Sequence, residues 1–229
     1  MSGMSANVYD EMIIQLLKLI QPKRVLDIGP GQGKYAALMA QAELNAYTVA
    51  LEIDPTYVDQ FDLRNKYSEV RIGDAGDLPY LPEARNELFD CVLIGDCIEH
   101  MPKSRGLDLL NFLTYRSGYI IVVAPEFSYY DTAANNFAHT ESHISVWSEY
   151  DFQWHDRFAY MRSEIMQIFV LRGYQPSSIA LDQAVGAINA NPPRLKLLSG
   201  EDLKPAHLEL RTRARTEFLN GHSYAYRQM

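Results

Sequence analysis

The hydrophobic pattern changes period repeatedly along the chain, and each change marks an element. In residues 7–20, Val8, Met12, Ile13, Leu16, Leu17 and Ile20 recur at three- and four-residue spacing, which predicts an amphipathic helix. Asn7 is placed to cap it, Asp10 and Glu11 suit its positive N-terminal end, and Pro22 stops it. A short apolar strand follows over residues 24–28, then a helix from 34 to about 43 with Tyr35, Leu38 and Met39 available to the sheet. Residues 47–54 form the second strand, and Pro55 opens the next helix at a position where proline is tolerated. Residues 57–67 look helical and 70–72 form a short third strand. The continuous run Cys91, Val92, Leu93, Ile94 is that of a central parallel strand covered on both faces. A helix over 103–116 and a fifth strand over 119–125 complete the regular part.

This alternation predicts a doubly wound α/β fold with a mostly parallel, Rossmann-like sheet. Ligands of such sheets bind beyond the carboxyl ends of the strands. Asp27, Glu52, Asp74, Asp96 and Glu126 all fall at those ends. Residues 126–150 then break the pattern with an aromatic, polar stretch of no clean period, which suits a lid or insert on the acceptor side. Residues 156–171 read as a helix, with Phe158, Met161, Ile165, Ile168, Phe169 and Leu171 on its apolar face, and 177–181 as a sixth strand. The expected organisation is a core over 1–182 and a C-terminal hairpin and helix extension over 183–229, with its last helix at 205–219. Arg211, Arg213 and Arg215 form a small basic cluster there, read as a solvated helix face.

A formal charge of −8 argues against a polyanion as partner: no DNA is expected, and RNA is disfavoured. The two cysteines, Cys91 and Cys97, are too few for a disulfide scaffold and fit a reducing, cytoplasmic setting. No run approaches the ~18 apolar residues of a membrane span. Residues 1–11 lack a basic segment followed by an apolar core, so neither a membrane anchor nor a secretory signal is expected. A monomer or homodimer is anticipated.

The chemistry concentrates in residues 25–36. Gly29, Gly31 and Gly33 let backbone N–H groups approach a ligand that any Cβ would hold off. Asp27 enters that turn directly, and its carboxylate suits a sulfonium or ammonium rather than a pyrophosphate. Glu52, about twenty residues beyond the turn, is placed to accept both hydroxyls of a ribose. The order glycine turn, Glu52, Asp74-Ala75 and a strand ending in Asp96 resembles the class I S-adenosylmethionine-dependent methyltransferases over roughly residues 22–182. The resemblance implies a seven-stranded sheet and S-adenosylmethionine held by Asp27, Gly29, Gly31, Gly33, Glu52, Ile53, Asp74, Ala75, Asp96 and Cys97. Within it, the Asp74 carboxylate takes the exocyclic amine of adenine and the next backbone N–H meets a ring nitrogen. Residues 31–36 also satisfy a looser dinucleotide pattern, so an NAD-binding oxidoreductase stays as an alternative, as does a cofactor-binding protein without turnover.

Methyl transfer from a sulfonium needs nucleophile, carbon and sulfur in line, and a hydroxyl nucleophile gains from a base. His100 is the first choice, with Glu99, His139 and His143 also at the end of the sheet where the methyl projects. The run D-C-I-E-H-M with a later H-I-S-V-W is similar to methyltransferases carrying E-x-x-E-H and a downstream histidine, among them the small-RNA terminal 2′-O-methyltransferases. There a divalent metal binds the acceptor hydroxyl, and its ligands would fall on Asp96, Glu99, His100 and His143. Asp96 replaces the first Glu of that pattern and is one carbon shorter, so the metal is not the favoured expectation. The aromatic stretch from Phe127 to Trp154 suits a small organic or glycan acceptor, transferred to at O or N, with metal-dependent RNA methylation as the alternative.

Overall fold

A computed structural model describes residues 6–127, 142–196, 202–203 and 207–212. The elements are α1 (Asp10–Ile20), β1 (Arg24–Ile28), α2 (Lys34–Gln41), β2 (Tyr47–Glu52), α3 (Pro55–Gln60), β3 (Glu69–Ile72), β4 (Phe89–Gly95), α4 (Lys103–Thr114) and β5 (Ser117–Pro125). They continue with β6 (Arg157–Ser163), β7 (Met166–Arg172), α5 (Leu181–Ala190), β8 (Leu195–Lys196), β9 (Asp202–Leu203) and β10 (Glu209–Thr212). The main sheet has eight strands in the order β10-β6-β7-β5-β4-β1-β2-β3. β5, β4, β1, β2 and β3 run parallel, while β7, β6 and β10 add antiparallel partners.

The apolar run of β4 divides between two cores. Cys91 and Leu93 join the side chains of α1, α2 and α5, among them Met12, Leu16, Leu38 and Ile188. Val92 and Ile94 face the other way, onto Leu109, Leu110 and Leu113 of α4. Side chains alternate across a strand, so a sheet covered on both faces needs both parities apolar. Among the described residues both faces of the central strands are thereby covered, which directs a ligand to the strand ends.

Four expectations need correction. Residues 156–171 form no helix but the hairpin β6–β7, joined by Glu164 and Ile165 between the paired Ser163 and Met166. Both faces of this hairpin are largely buried, so its apolar residues satisfy helical spacing without a helix. β7 pairs along the whole of β5, closing an edge that a helix would leave unpaired. Residues 177–181 are not a strand but lead into α5, with the Ser178 hydroxyl donating to the carbonyl of Ile20 at 2.7 Å. In the region expected to be the last helix, Glu209–Thr212 form β10, the eighth strand, which extends the expected seven. The remainder of that helix, with Arg213 and Arg215, lies outside the described residues. Among the described residues no helix is long and apolar enough to cross a membrane.

Candidate active site

The glycine turn follows β1 directly. Gly29, Gly31 and Gly33 all have positive φ (69°, 49° and 80°), a conformation that favours glycine. A Cβ at Gly29 would stand 2.9 Å from Cys97 Sγ, so the turn is pressed against the exit of β4. Asp27 is fully buried beneath it and accepts a hydrogen bond from the Tyr67 phenol at 2.5 Å. Its other oxygen has no hydrogen-bond partner among the described residues. Burial pushes the Asp27 carboxyl up to about 7; the Tyr67 donor opposes this, and the nearby Glu52 charge adds to it. A raised carboxyl pKa means stability that is complete below the unfolded value near 4 and lost as pH rises through the folded value. Asp27→Asn is therefore expected to match the wild type near pH 4 and to exceed it by a few kcal/mol at pH 8. Urea unfolding of the ligand-free protein at the two pH values checks this, and equal curves at pH 8 would refute it.

Glu52, at the end of β2, is buried and accepts the Asp54 N–H at 2.9 Å. Burial raises its pKa, against the lowering by the N–H groups of Asp54, Gly31 and Ile53. Ile53 beside it is exposed. Asp74 caps the following turn, accepting the Gly76 N–H at 2.8 Å. It also accepts from Arg105 of α4 at 2.9 Å, while the same guanidinium reaches Asp77 at 2.7 Å. Sequence reasoning missed Arg105, because its partners lie about thirty residues away and its own helix offers no motif. Ala75 is buried.

Asp96, in a left-handed conformation (φ 47°), accepts the Ala6 N–H at 3.1 Å. The Ala6 carbonyl takes the Lys34 ammonium, which also pairs with Asp10 at 2.7 Å. The entry to α1 is thus tied to the start of α2 and to the end of β4. Cys97 is buried enough for its thiol to be pushed well up, with the Glu99, Glu52 and Asp27 charges adding to the effect.

A second group lies beyond β4, on the turn Ile98–His100. Ligand atoms of Glu99, His100 and His143 all lie within 4.8 Å of one another. Glu99 is fully buried; its carboxylate lies near the N–H groups of Glu99 and Cys97, but neither oxygen has a hydrogen bond of normal geometry among the described residues. Burial, and then the Asp96 charge, hold its pKa well above the usual range. His100 Nδ1 lies 3.1 Å from the Ser142 carbonyl, which accepts only, so Nδ1 carries the proton and the neutral ring offers Nε2. The His100 and His143 rings are 4.9 Å apart at 76°, and Phe127 lies 5.3 Å from His143. Asp96 is not part of this convergent set, and His139 lies outside the described residues.

The strand ends therefore hold two adjoining groups, one built on a glycine turn and carboxylates, the other on a carboxylate and two imidazoles. Residues 26–120 match the family model described as a methyltransferase domain. Residues 26–120 are thus a methyltransferase domain. The match sets aside the dinucleotide reading of residues 31–36, and S-adenosylmethionine is the methyl donor of the domain. It ends within β5, so β6, β7 and His143 fall beyond it.

No curated protein matches the chain in sequence. Solved structures share the fold of the methyltransferase domain. An S-adenosylmethionine-dependent methyltransferase from Archaeoglobus fulgidus is 16% identical with a TM-score of 0.51, the match covering 71% of this chain and 94% of the other. The N-terminal domain of EvdMO1, solved with SAH bound, is 14% identical with a TM-score of 0.52 over 74% and 82%. The methyltransferase domain of bacterial CtHen1-C is 15% identical with a TM-score of 0.52 over 72% and 97%.

Proposed function

We propose that the domain transfers the methyl group of S-adenosylmethionine to a hydroxyl of a small metabolite or glycan, activated at a divalent-cation site formed by Glu99, His100 and His143. The observation that carries this reading is the convergence of those three side chains on donor atoms within 4.8 Å, one of them a fully buried carboxylate. The donor set fits a cation: one carboxylate and two imidazoles are ordinary ligands of divalent transition metals. A cation would also compensate the buried Glu99 charge, which Asp96 otherwise opposes. When bound, it supplies a Lewis acid that polarises the acceptor hydroxyl. Having three ligands from the protein, it does not need the shorter Asp96.

The remaining chemistry belongs to the chain. The hydrogen bond from His100 Nδ1 to the Ser142 carbonyl fixes the tautomer and directs Nε2 as the lone-pair nitrogen. In our reading Glu52 accepts the ribose hydroxyls at the end of β2, and the Asp74-Ala75 turn receives the adenine beside the exposed face of Ile53. Asp27 and the glycine turn, with Cys97 pressed against them, face the positively charged methionine portion. Asp96, between the two groups, anchors the N-terminal approach through Ala6. In-line transfer then needs only that the hydroxyl reach the methyl carbon along the axis opposite sulfur. In this reading residues 126–150 are the acceptor-side insert, of which 128–141 lie outside the described residues, while α5 and β10 tie residues 183–229 into the core rather than leaving them as a separate extension.

Calorimetry with manganese chloride, and turnover of a hydroxyl-acceptor panel measured as SAH released, test the proposal together. Saturable manganese binding lost in Glu99→Ala, and turnover abolished by a chelator and restored by the metal, are the expected results. Chelator-insensitive turnover would overturn the metal-assisted reading. Cofactor binding with no SAH released from any acceptor would favour a binding protein, and selective turnover of RNA 3′ termini would move the acceptor class.

A further inference from the structure

His143 must be held against Glu99, yet among the described residues 142–148 there is no helix or extended strand to carry it. Building on the cation-site reading above, we infer that Trp147 is a positioning residue for that site: its indole, seated against Gly106 and bonded to Ser145, fixes the spacing between His143 and Glu99. Trp147 is fully buried, although the stretch around it is irregular. A Cβ at Gly106 of α4 would stand 2.5 Å from the indole Cζ2, so glycine at that helical position opens the slot the ring fills.

The indole does more than fill space. Its Nε1–H donates to Ser145 Oγ at 2.8 Å. Ser145 Oγ in turn reaches the Ile98 carbonyl at 3.4 Å, and the N–H groups of Ile144 and Ser145 both donate to the Glu99 carbonyl, at 2.9 and 3.1 Å. The residues immediately after His143 are therefore tied to the backbone of the turn that carries Glu99 and His100. From the other side, Gln167 of β7 donates to the Trp147 carbonyl at 2.8 Å, and the Lys103 ammonium bonds the Val146 carbonyl while lying 5.1 Å from the indole centroid. The ring anchors one end of a five-residue span, and the Glu99 carbonyl grips its middle. Burying apolar surface would require only a ring of this size. The N–H bond to Ser145 adds a constraint on register, and that constraint bears on His143.

The prediction separates this role from mere packing. Trp147→Phe keeps an aromatic ring and deletes the N–H, Ser145→Ala deletes its acceptor, and Gly106→Ala pushes against the indole. Each is expected to weaken manganese binding by roughly tenfold or more, the range typical of groups that orient metal ligands. SAH affinity should stay within about twofold, since none of the hydrogen bonds described for the glycine turn, Glu52 or Asp74 reaches residues 142–147. Val185→Ala, on the opposite core, controls for lost stability and should leave both affinities unchanged. In the metal-free protein, the His143 imidazole resonances should shift in Trp147→Phe and not in Val185→Ala. Wild-type binding that depends on Glu99, with no loss in Trp147→Phe, Ser145→Ala or Gly106→Ala and unmoved His143 resonances, would overturn the inference. Absence of Glu99-dependent binding in the wild type would instead overturn the cation-site reading on which it rests.

Discussion

Glu99→Gln is expected to make the metal-free protein more stable while lowering turnover by at least about a hundredfold. The two effects share one cause. Glu99 is fully buried, lacks a well-formed hydrogen bond among the described residues, and feels the Asp96 charge in addition to its own desolvation. An ionised carboxylate there costs the fold without return until a cation occupies the site. The folded pKa is raised, so the contribution of Glu99 to stability is complete below about pH 4 and lost as pH rises. Glutamine keeps the shape and removes the charge. The gain should be near zero at pH 4 and roughly 1–3 kcal/mol at pH 8, seen as a melting temperature several degrees higher. SAH affinity should be unaffected. A variant less stable than the wild type at pH 8 would show that Glu99 is a structural acceptor, and retained turnover would remove it from the chemistry.

Much of the first 125 residues was legible because each buried strand is a short apolar run bounded by glycine, proline or an acid. The β4 sequence needs both of its faces apolar, and its neighbours on either side are parallel strands, so pattern and structure agree. The β6–β7 hairpin was not legible. Phe158, Met161, Ile165, Ile168, Phe169 and Leu171 fit a helical period, and the connecting Glu164 and Ile165 are not typical of a tight hairpin turn. The deciding partner is the free edge of β5, a long-range fact. The candidate site divides in the same way. Asp96, Glu99 and His100 are close in sequence and were visible as a motif. The approach of His143 was implied only by resemblance, and Arg105 against Asp74 or Trp147 against Gly106 had no local signature at all.

Gly95→Ala is expected to be the most damaging single substitution in the methyltransferase domain away from its donor groups. A Cβ at this position would overlap the Tyr35 phenol, both its oxygen and its ring carbons. The ring cannot easily retreat, because Tyr35 is 2% exposed and sits in the first turn of α2, immediately after the glycine turn. Nor can the backbone move: β4 is paired on one side to β1 and on the other to β5, with Gly95 opposite Val123. Overpacking a core commonly costs about 1–3 kcal/mol. With both partners fixed, a loss of at least about 3 kcal/mol and a melting temperature lower by roughly ten degrees is expected here. Tyr35→Leu in the same chain should recover most of the loss, because it shortens the side chain that the new methyl meets. Tyr35→Phe should recover little, since the ring carbons still overlap. The phenol is held far above its usual pKa by burial and by the charges of Asp96, Asp27, Asp10 and Glu99, so it remains a neutral group among carboxylates. Gly95 therefore makes room for a phenol hydroxyl set among these carboxylates. If Gly95→Ala melted with the wild type, the Tyr35 ring would have to move away from Gly95 without cost, and the close fit of α2 against β4 would not be what holds the glycine turn in place.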